Sequence, residues 1–124
     1  ENKKGEYYLT QVIEVLRGIV KNVDTLTVAD FLEVLGVNSQ EDLARLSQIA
    51  YREKLRILME RGVTVVEPSS TFVEDGAEVG SGTIIFPVTY ISGKVVVGKG
   101  CRIGPFVYLK DGTRVADGVE MRAV

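Results

Sequence analysis

The sequence predicts an α+β chain: an N-terminal helical segment with a long linker helix, followed by a parallel β-helix of six-residue repeats. Two observations carry most of this. Val73, Val79, Ile85, Ile91, Val97, Ile103, Leu109, Val115 and Met121 fall at every sixth place without a failure. Other residue types keep fixed offsets from that series: Gly76, Gly82, Gly100, Gly112 and Gly118 stand three places on, and Ala77, Thr83, Thr89, Val95, Cys101, Val107, Thr113 and Val119, all small or β-branched, stand four places on. A third observation, a capped apolar-periodic stretch between Ser39 and Gly62, supplies the long helix.

In chain order, Leu9, Val12, Ile13, Leu16 and Val20 follow helical spacing with Thr10 placed to cap, so residues 10–21 read as an amphipathic helix that Gly18 weakens near its end. Thr25 to Val28 is β-prone, and Ala29 to Leu35 fits one helical turn or two. Gly36-Val37-Asn38 breaks whatever precedes it. Ser39 then opens the clearest helix, with Asp42 as the capping-box acid, Leu43, Leu46, Ile49, Ala50, Ile57 and Leu58 as apolar positions, and Gly62 as the stop. It covers about 23 residues, roughly 34 Å at the usual rise. Tyr51, Arg52, Arg56 and Arg61 read as a solvated face whose stems lie on apolar surface. Val63 to Val66 reads as a short strand, and Pro68 marks where the β-helix begins.

A six-residue period suits neither an α-helix nor a simple strand. It suits short strands joined by tight corners, where each hexad forms one side of a prism, the aliphatic residue points inward and glycine frees the corner backbone. Three sides make a turn of about 18 residues, so Val73, Ile91 and Leu109 should stack, as should Val79, Val97 and Val115, and Ile85, Ile103 and Met121. Ile85-Phe86-Pro87 is the irregular corner, with an aromatic where a small residue is commoner and no glycine at Val88; packing by a neighbour accounts for Phe86 better than ligand binding does.

Composition narrows the function. With 15 basic and 17 acidic residues interspersed and a formal charge of -2, there is no electrostatic footprint for nucleic acid or an anionic membrane. One cysteine, Cys101, cannot close an intrachain disulfide. No apolar run approaches the roughly 20 residues of a membrane span and no signal-peptide pattern opens the chain, which makes a cytoplasmic setting the expectation. The sequence holds no histidine, so a zinc-dependent β-helical carbonic anhydrase or a hexapeptide acyltransferase with a histidine base finds no support here.

The succession Gly5-Glu6-Tyr7-Tyr8-Leu9-Thr10, Gly36-Val37-Asn38, a long capped helix, Gly62-Val63 to Pro68 and then hexads resembles the bacterial N-acetylglucosamine-1-phosphate uridyltransferases (GlmU), usually bifunctional with glucosamine-1-phosphate acetyltransferase activity. The resemblance implies a left-handed winding, with residues 1–38 as the end of a nucleotidyltransferase domain, 39–66 as linker helix and strand, and 67–124 as β-helix. The glycine-rich nucleotide loop of that family has no counterpart in this sequence. By the same resemblance Tyr8 and Thr10 match positions that contact the sugar's N-acetyl group, and Asn38 matches a ligand of Mg²⁺, whose carboxylate partner would lie outside this chain. Gln11 stands where the family usually has Asp. Ile103-Gly104-Pro105-Phe106-Val107-Tyr108-Leu109-Lys110 resembles a family segment whose second arginine grips the sugar phosphate; Lys110 stands at that place and Asp111 replaces a proline, which keeps the charge and loses the guanidinium fork. The family's histidine base for acetyl transfer lies further along the β-helix than this sequence runs.

The resemblance therefore implies part of an enzyme that joins UTP and GlcNAc-1-phosphate into UDP-GlcNAc with release of pyrophosphate, using Mg²⁺, and acetyl-CoA as well if the whole enzyme is bifunctional. The chain by itself is expected to be inactive and to carry no catalytic residue. The alternative is a non-catalytic module that assembles copies, as homotrimers, through the β-helix. The open edge of the third turn invites pairing.

Overall fold

In the computed structural model, residues 36–123 are described; the expected helix over 10–21, the β-prone stretch at 25–28 and the turns at 29–35 lie outside them. The chain divides by its contacts into two units, residues 1–50 and 51–124, and each is described by itself.

The helix α1 spans Gln40–Glu60. Its start, in the first unit, is a reciprocal cap: the Asp42 amide donates to Ser39 Oγ at 3.1 Å, and the Asp42 carboxylate accepts the Asn38 amide at 3.2 Å. Orphan donors of the first turn are thereby satisfied. The Asn38 amide and the neighbouring Arg45 guanidinium hold the Asp42 carboxyl below its ordinary range. Its end, in the second unit, stops as Gly62 predicts. Gly62 has φ +92°, its amide donates to Met59 O at 3.1 Å, and the Val63 amide donates to Leu58 O at 3.0 Å. These are the two bonds of a Schellman ending, and the accompanying apolar contact is supplied by Leu58 and Val63, both buried in the core.

Ten short strands follow: β1 Thr64–Val65, β2 Thr71–Val73, β3 Glu78–Val79, β4 Ile84–Ile85, β5 Thr89–Ile91, β6 Val96–Val97, β7 Arg102–Ile103, β8 Val107–Leu109, β9 Arg114–Val115 and β10 Glu120–Met121. All pair in parallel, in three sheets of order β1-β4-β7-β10, β2-β5-β8 and β3-β6-β9. This is a three-sided solenoid. Strand amides reach the carbonyls of the next coil: Ile84 to Cys101 O at 2.8 Å, Val96 to Thr113 O at 3.1 Å, Arg102 to Val119 O at 3.0 Å. The expected stacks are observed in register: Val73 over Ile91 over Leu109, Val79 over Val97 over Val115, and Ile85 over Ile103 over Met121.

The interior holds more than that series. Ala77, Thr83, Thr89, Val95 and Cys101 are also buried, so two positions of each hexad face the axis. Three threonine hydroxyls enter without being orphaned, because each bonds a carbonyl at 2.8 Å: Thr71 to Glu67 O, Thr83 to Gly98 O and Thr89 to Phe86 O. Such pairing is what makes a buried hydroxyl tolerable.

The sequence assigns the strand after α1 to the linker. In the structure Thr64–Val65 is hydrogen-bonded into the solenoid, with Val65 under Ile85. That pairing spans 20 residues where Ile85 to Ile103 spans 18, because the 3₁₀ turn Pro68–Ser70 takes up two more. The six-residue count fails at Glu67 for that reason, and the interior column runs one place deeper than the count shows.

At one corner of each coil the backbone turns left-handed. Gly82, Gly100 and Gly118 have φ between +67° and +79°, and each donates its amide back to the coil below, at 2.8–3.1 Å. At another corner Val88 and Phe106 turn left-handed with φ +57° and +60°, where a side chain is strained, and the Val88 amide donates to Ser70 O at 3.0 Å.

The stacking gives a direct expectation. Ile103→Ala opens a hole on the axis and should lower stability by about 2–5 kcal/mol, whereas Lys99→Ala, on an exposed side chain, should stay within about 0.5 kcal/mol. Denaturant melts that show equal effects would mean the register is wrong.

Candidate functional site

Among the described residues, the second unit carries a notch and a groove. The notch, of about 480 Å³, lies between the end of α1 and the corners of β3 and β6, lined by Lys54, Leu58, Arg61, Asp75, Glu78, Lys99 and Asp117 among others. The groove, of about 310 Å³, lies on the outer face of β2-β5-β8, lined by Ser70, Phe72, Val88, Thr89, Tyr90, Phe106, Val107 and Tyr108.

Lys54 dominates the notch. Its buried amine donates to Asp75 O at 2.6 Å and Ala77 O at 2.8 Å, so the cation is spent on fastening α1 to the corner at 75–77. Burial pushes its pKa below the ordinary 10.5; Arg61 adds to that, and the carboxylates of Asp75 and Glu78 oppose it. The neighbouring Glu74 is buried as well and accepts the Gly93 amide at 2.8 Å and the Tyr90 hydroxyl. Tyr90 OH lies 3.4 Å from Tyr51 OH. Corner amides on the next coil are met in the same way: Asp111 accepts the Lys94 amide at 3.0 Å, and Asp117 accepts the Lys99 amide at 2.8 Å. Carboxylates thus close the corners with charge-assisted bonds. Three basic and three acidic side chains line the notch, which leaves it no strong preference for either sign of ligand.

The groove is an aromatic ladder. Phe72, Tyr90 and Tyr108 stack in register on successive coils, with ring centroids 6.2 and 5.7 Å apart. Tyr51 meets Phe72 edge-on at 5.4 Å and Tyr90 at 6.5 Å. Tyr51 therefore does not belong to the solvated face expected of it, while Arg52, Arg56 and Arg61 are exposed as expected; Arg56 is paired with Glu53 and Glu60 at 2.6 Å. Phe86 is packed by a neighbour from its own chain, the Arg102 guanidinium 5.1 Å from its ring centroid.

Of the expected site residues, Tyr8 and Thr10, with Gln11, lie outside the described residues. Asn38 is exposed in the first unit, with its amide on Asp42. The Asp42 carboxylate beside it is already held by that amide and by Arg45, and among the described residues no group of three acidic, cysteine or histidine side chains gathers to hold a metal. A hard divalent cation needs several oxygen ligands. The described residues do not fit a Mg²⁺ site by themselves. Lys110 is exposed at a corner of the second unit, where its carbonyl accepts the Thr113 amide at 3.2 Å.

The segment Ile103 to Tyr108 sits one coil above Ile85 to Tyr90, strand over strand. Its glycine has a structural reason. A Cβ on Gly104, at φ +98°, would come within 2.3 Å of Thr89 Oγ1. The corner that resembles a sugar-phosphate motif is also the second instance of a repeated corner.

The geometry leaves a solenoid of hexads with carboxylate-closed corners. Residues 76–111 match the bacterial transferase hexapeptide repeat (six repeats). The chain is 45% identical over 119 residues, 96% of its length and 25% of the relative's, to the bifunctional protein GlmU of Carboxydothermus hydrogenoformans. The chain is similar to GlmU. Against GlmU of Fervidobacterium nodosum it is 41% identical over 110 residues (89% of the chain, 24% of the relative), and against that of Thermotoga maritima 38% over 111 residues (90% and 24%). It spans about a quarter of the length of these curated relatives. The resemblance read from the sequence is borne out, and so is the fold, a helix followed by a β-helix of the hexapeptide class. Among the described residues no helix is long and apolar enough to cross a membrane.

Lys54 gives a prediction with a sign. Between its depressed pKa and 10.5 the unfolded chain still holds a proton that the folded chain has released. Stability should therefore rise with pH through that interval and be lost as pH falls through the folded value. Lys54→Met should flatten that part of the profile. An NMR titration placing the Lys54 amine at or above the ordinary lysine value would contradict it.

Proposed function

We propose that the chain is the arm and β-helix portion of a sugar-nucleotide transferase of the GlmU kind, and that its own part there is to position and assemble rather than to transform substrate. The carrying observation is the unbroken solenoid, whose buried charged groups are all committed to its own backbone and hydroxyls: Lys54 on two carbonyls, Glu74 on an amide and a tyrosine. The similarity to bifunctional GlmU over 96% of the chain supports the same reading.

In the whole enzyme the reaction is attack of GlcNAc-1-phosphate on UTP, with UDP-GlcNAc formed and pyrophosphate leaving, and positioning and electrostatics supply most of the catalysis. Mg²⁺, if bound in the whole enzyme, would offset phosphate charge there, and Asn38 is the residue of this chain that would offer it an oxygen. Tyr8 and Thr10 contact the N-acetyl group, and Lys110 offers a point charge to a phosphate. Acetyl-CoA enters only if the whole protein also acetylates. The enzyme works in the cytoplasm, and the β-helix joins three copies.

The second reading is a module that assembles copies without belonging to any transferase, and the exposed aromatic groove favours giving it weight.

Two measurements test the proposal. The chain alone, given UTP, GlcNAc-1-phosphate and Mg²⁺, should release no pyrophosphate above the blank; measurable Mg²⁺-dependent release would refute the positional role. Sedimentation velocity should give a trimer, and a monomer at high concentration would remove the assembly role.

A further inference from the structure

We infer that Lys54 takes the place of a missing strand, so that residues 51–60 of α1 act as a strap closing the first edge of the β3-β6-β9 sheet. The inference goes beyond the assembly reading and holds for the single chain whether or not copies join.

The hydrogen-bond ladders carry it. In sheet β1-β4-β7-β10 the carbonyl just before a strand accepts an amide from the strand one coil earlier: Thr83 O from Thr64 at 2.9 Å, Cys101 O from Ile84 at 2.8 Å and Val119 O from Arg102 at 3.0 Å. Sheet β3-β6-β9 follows the same rule, with Val95 O accepting from Glu78 at 3.0 Å and Thr113 O from Val96 at 3.1 Å. The first carbonyl of that series is Ala77 O. Its strand β3 is the outermost of the sheet, and among the described residues no backbone amide is bonded to Ala77 O. The donor it receives instead is Lys54 Nζ at 2.8 Å, the same length as the bond from Ile84 to Cys101 O. A second hydrogen of that ammonium goes to Asp75 O at 2.6 Å.

Burial explains why a lysine stands there. Lys54 lies on the inner stripe of α1 with Leu55 and Leu58, and Ala77 is itself buried. An apolar residue in its place would pack beside Leu58 and leave the Ala77 carbonyl without a partner, which is the costly outcome for a buried acceptor. A buried ammonium is costly too unless its hydrogens are bonded, and here two of the three reach carbonyls. The residues that could have formed an earlier strand are used otherwise, because α1 runs to Glu60 and ends in the turn through Gly62 and Val63. Just after that turn β1 extends the sheet of β4; the sheet of β3 gains no such strand. Open strand edges are commonly covered by a helix, and the terminal unit of a solenoid needs a cap of a different kind from its repeats. The end of α1 supplies the cover and Lys54 supplies the hydrogen bond.

Native-state hydrogen exchange on the full chain tests this, with Lys54→Met, which keeps an apolar stem and removes the donors, and Arg61→Ala, at another cation lining the same notch. In Lys54→Met the amides of Glu78 and Gly80, bonded to Val95 O and Val97 O, should exchange faster by about tenfold or more. Those of Ile84 and Phe86, whose strand is covered by β1, should keep the parent's rates, and Arg61→Ala should leave all four unchanged. Equal acceleration of all four in Lys54→Met would reduce Lys54 to a contributor to overall stability and overturn the inference, as would unmoved rates at Glu78 and Gly80. If Lys54→Met does not fold, the isotope-labelled parent decides by NMR: the Lys54 ammonium protons should be protected and coupled to the Ala77 carbonyl carbon. Lys54 protons that exchange as fast as those of the exposed Lys99 overturn it.

Discussion

Everything in the second unit depends on one constraint: each coil must place its aliphatic residue directly over that of the coil below, because only then do the parallel hydrogen bonds and the interior packing form together. The bonds from one coil to the next, such as Phe86 N–H to Ile103 O at 2.8 Å and Gly98 N–H to Val115 O at 2.8 Å, fix the interval. The stacked aliphatic residues use it. A strand of two or three residues, as every one is here, has no stability of its own. It persists because the coils on either side complete it, so the solenoid behaves as a one-dimensional stack in which each turn supports its neighbours.

That constraint explains where the polar groups go. A three-sided prism turns its backbone at each corner, and a corner amide not in a sheet still needs an acceptor. Carboxylates from an adjacent coil supply it at Gly93, Lys94 and Lys99, and Gly82, Gly100, Gly112 and Gly118 donate theirs to the coil below. Lys54 reverses the arrangement by bringing a donor from α1 to two corner carbonyls. The replacement of a family proline by Asp111 reads in this light as a corner closure.

Much of this was legible because the repeat is strict. From Val73 to Met121 the period never slips, so stacking partners could be named from counting alone, and the caps at Ser39 and Gly62 follow from local chemistry that does not depend on the rest of the fold. What counting missed has definite causes. Val65 is two residues out of step because of the Pro68–Ser70 turn, and a count carried back from Val73 lands on Glu67. Lys54 carries the residue type of a solvated face, and only its place one turn before the buried Leu58 marks it as part of the inner stripe. Tyr51 sits among arginines in the sequence, and its partner Phe72, 21 residues away, is invisible to local pattern. The site residues were the least legible. Tyr8, Thr10, Asn38 and Lys110 came from resemblance, and neither Asn38 nor Lys110 is gathered with other ligands by the described structure.

Native-state hydrogen exchange tests the stack most directly. The amides of Ile84, Phe86, Val96, Gly98 and Arg102, each bonded to the next coil, should exchange together and more slowly than those of the exposed corners. If they exchange as fast as the amides of exposed residues such as Ser81 or Lys110, the coils are not stacked in the register described here.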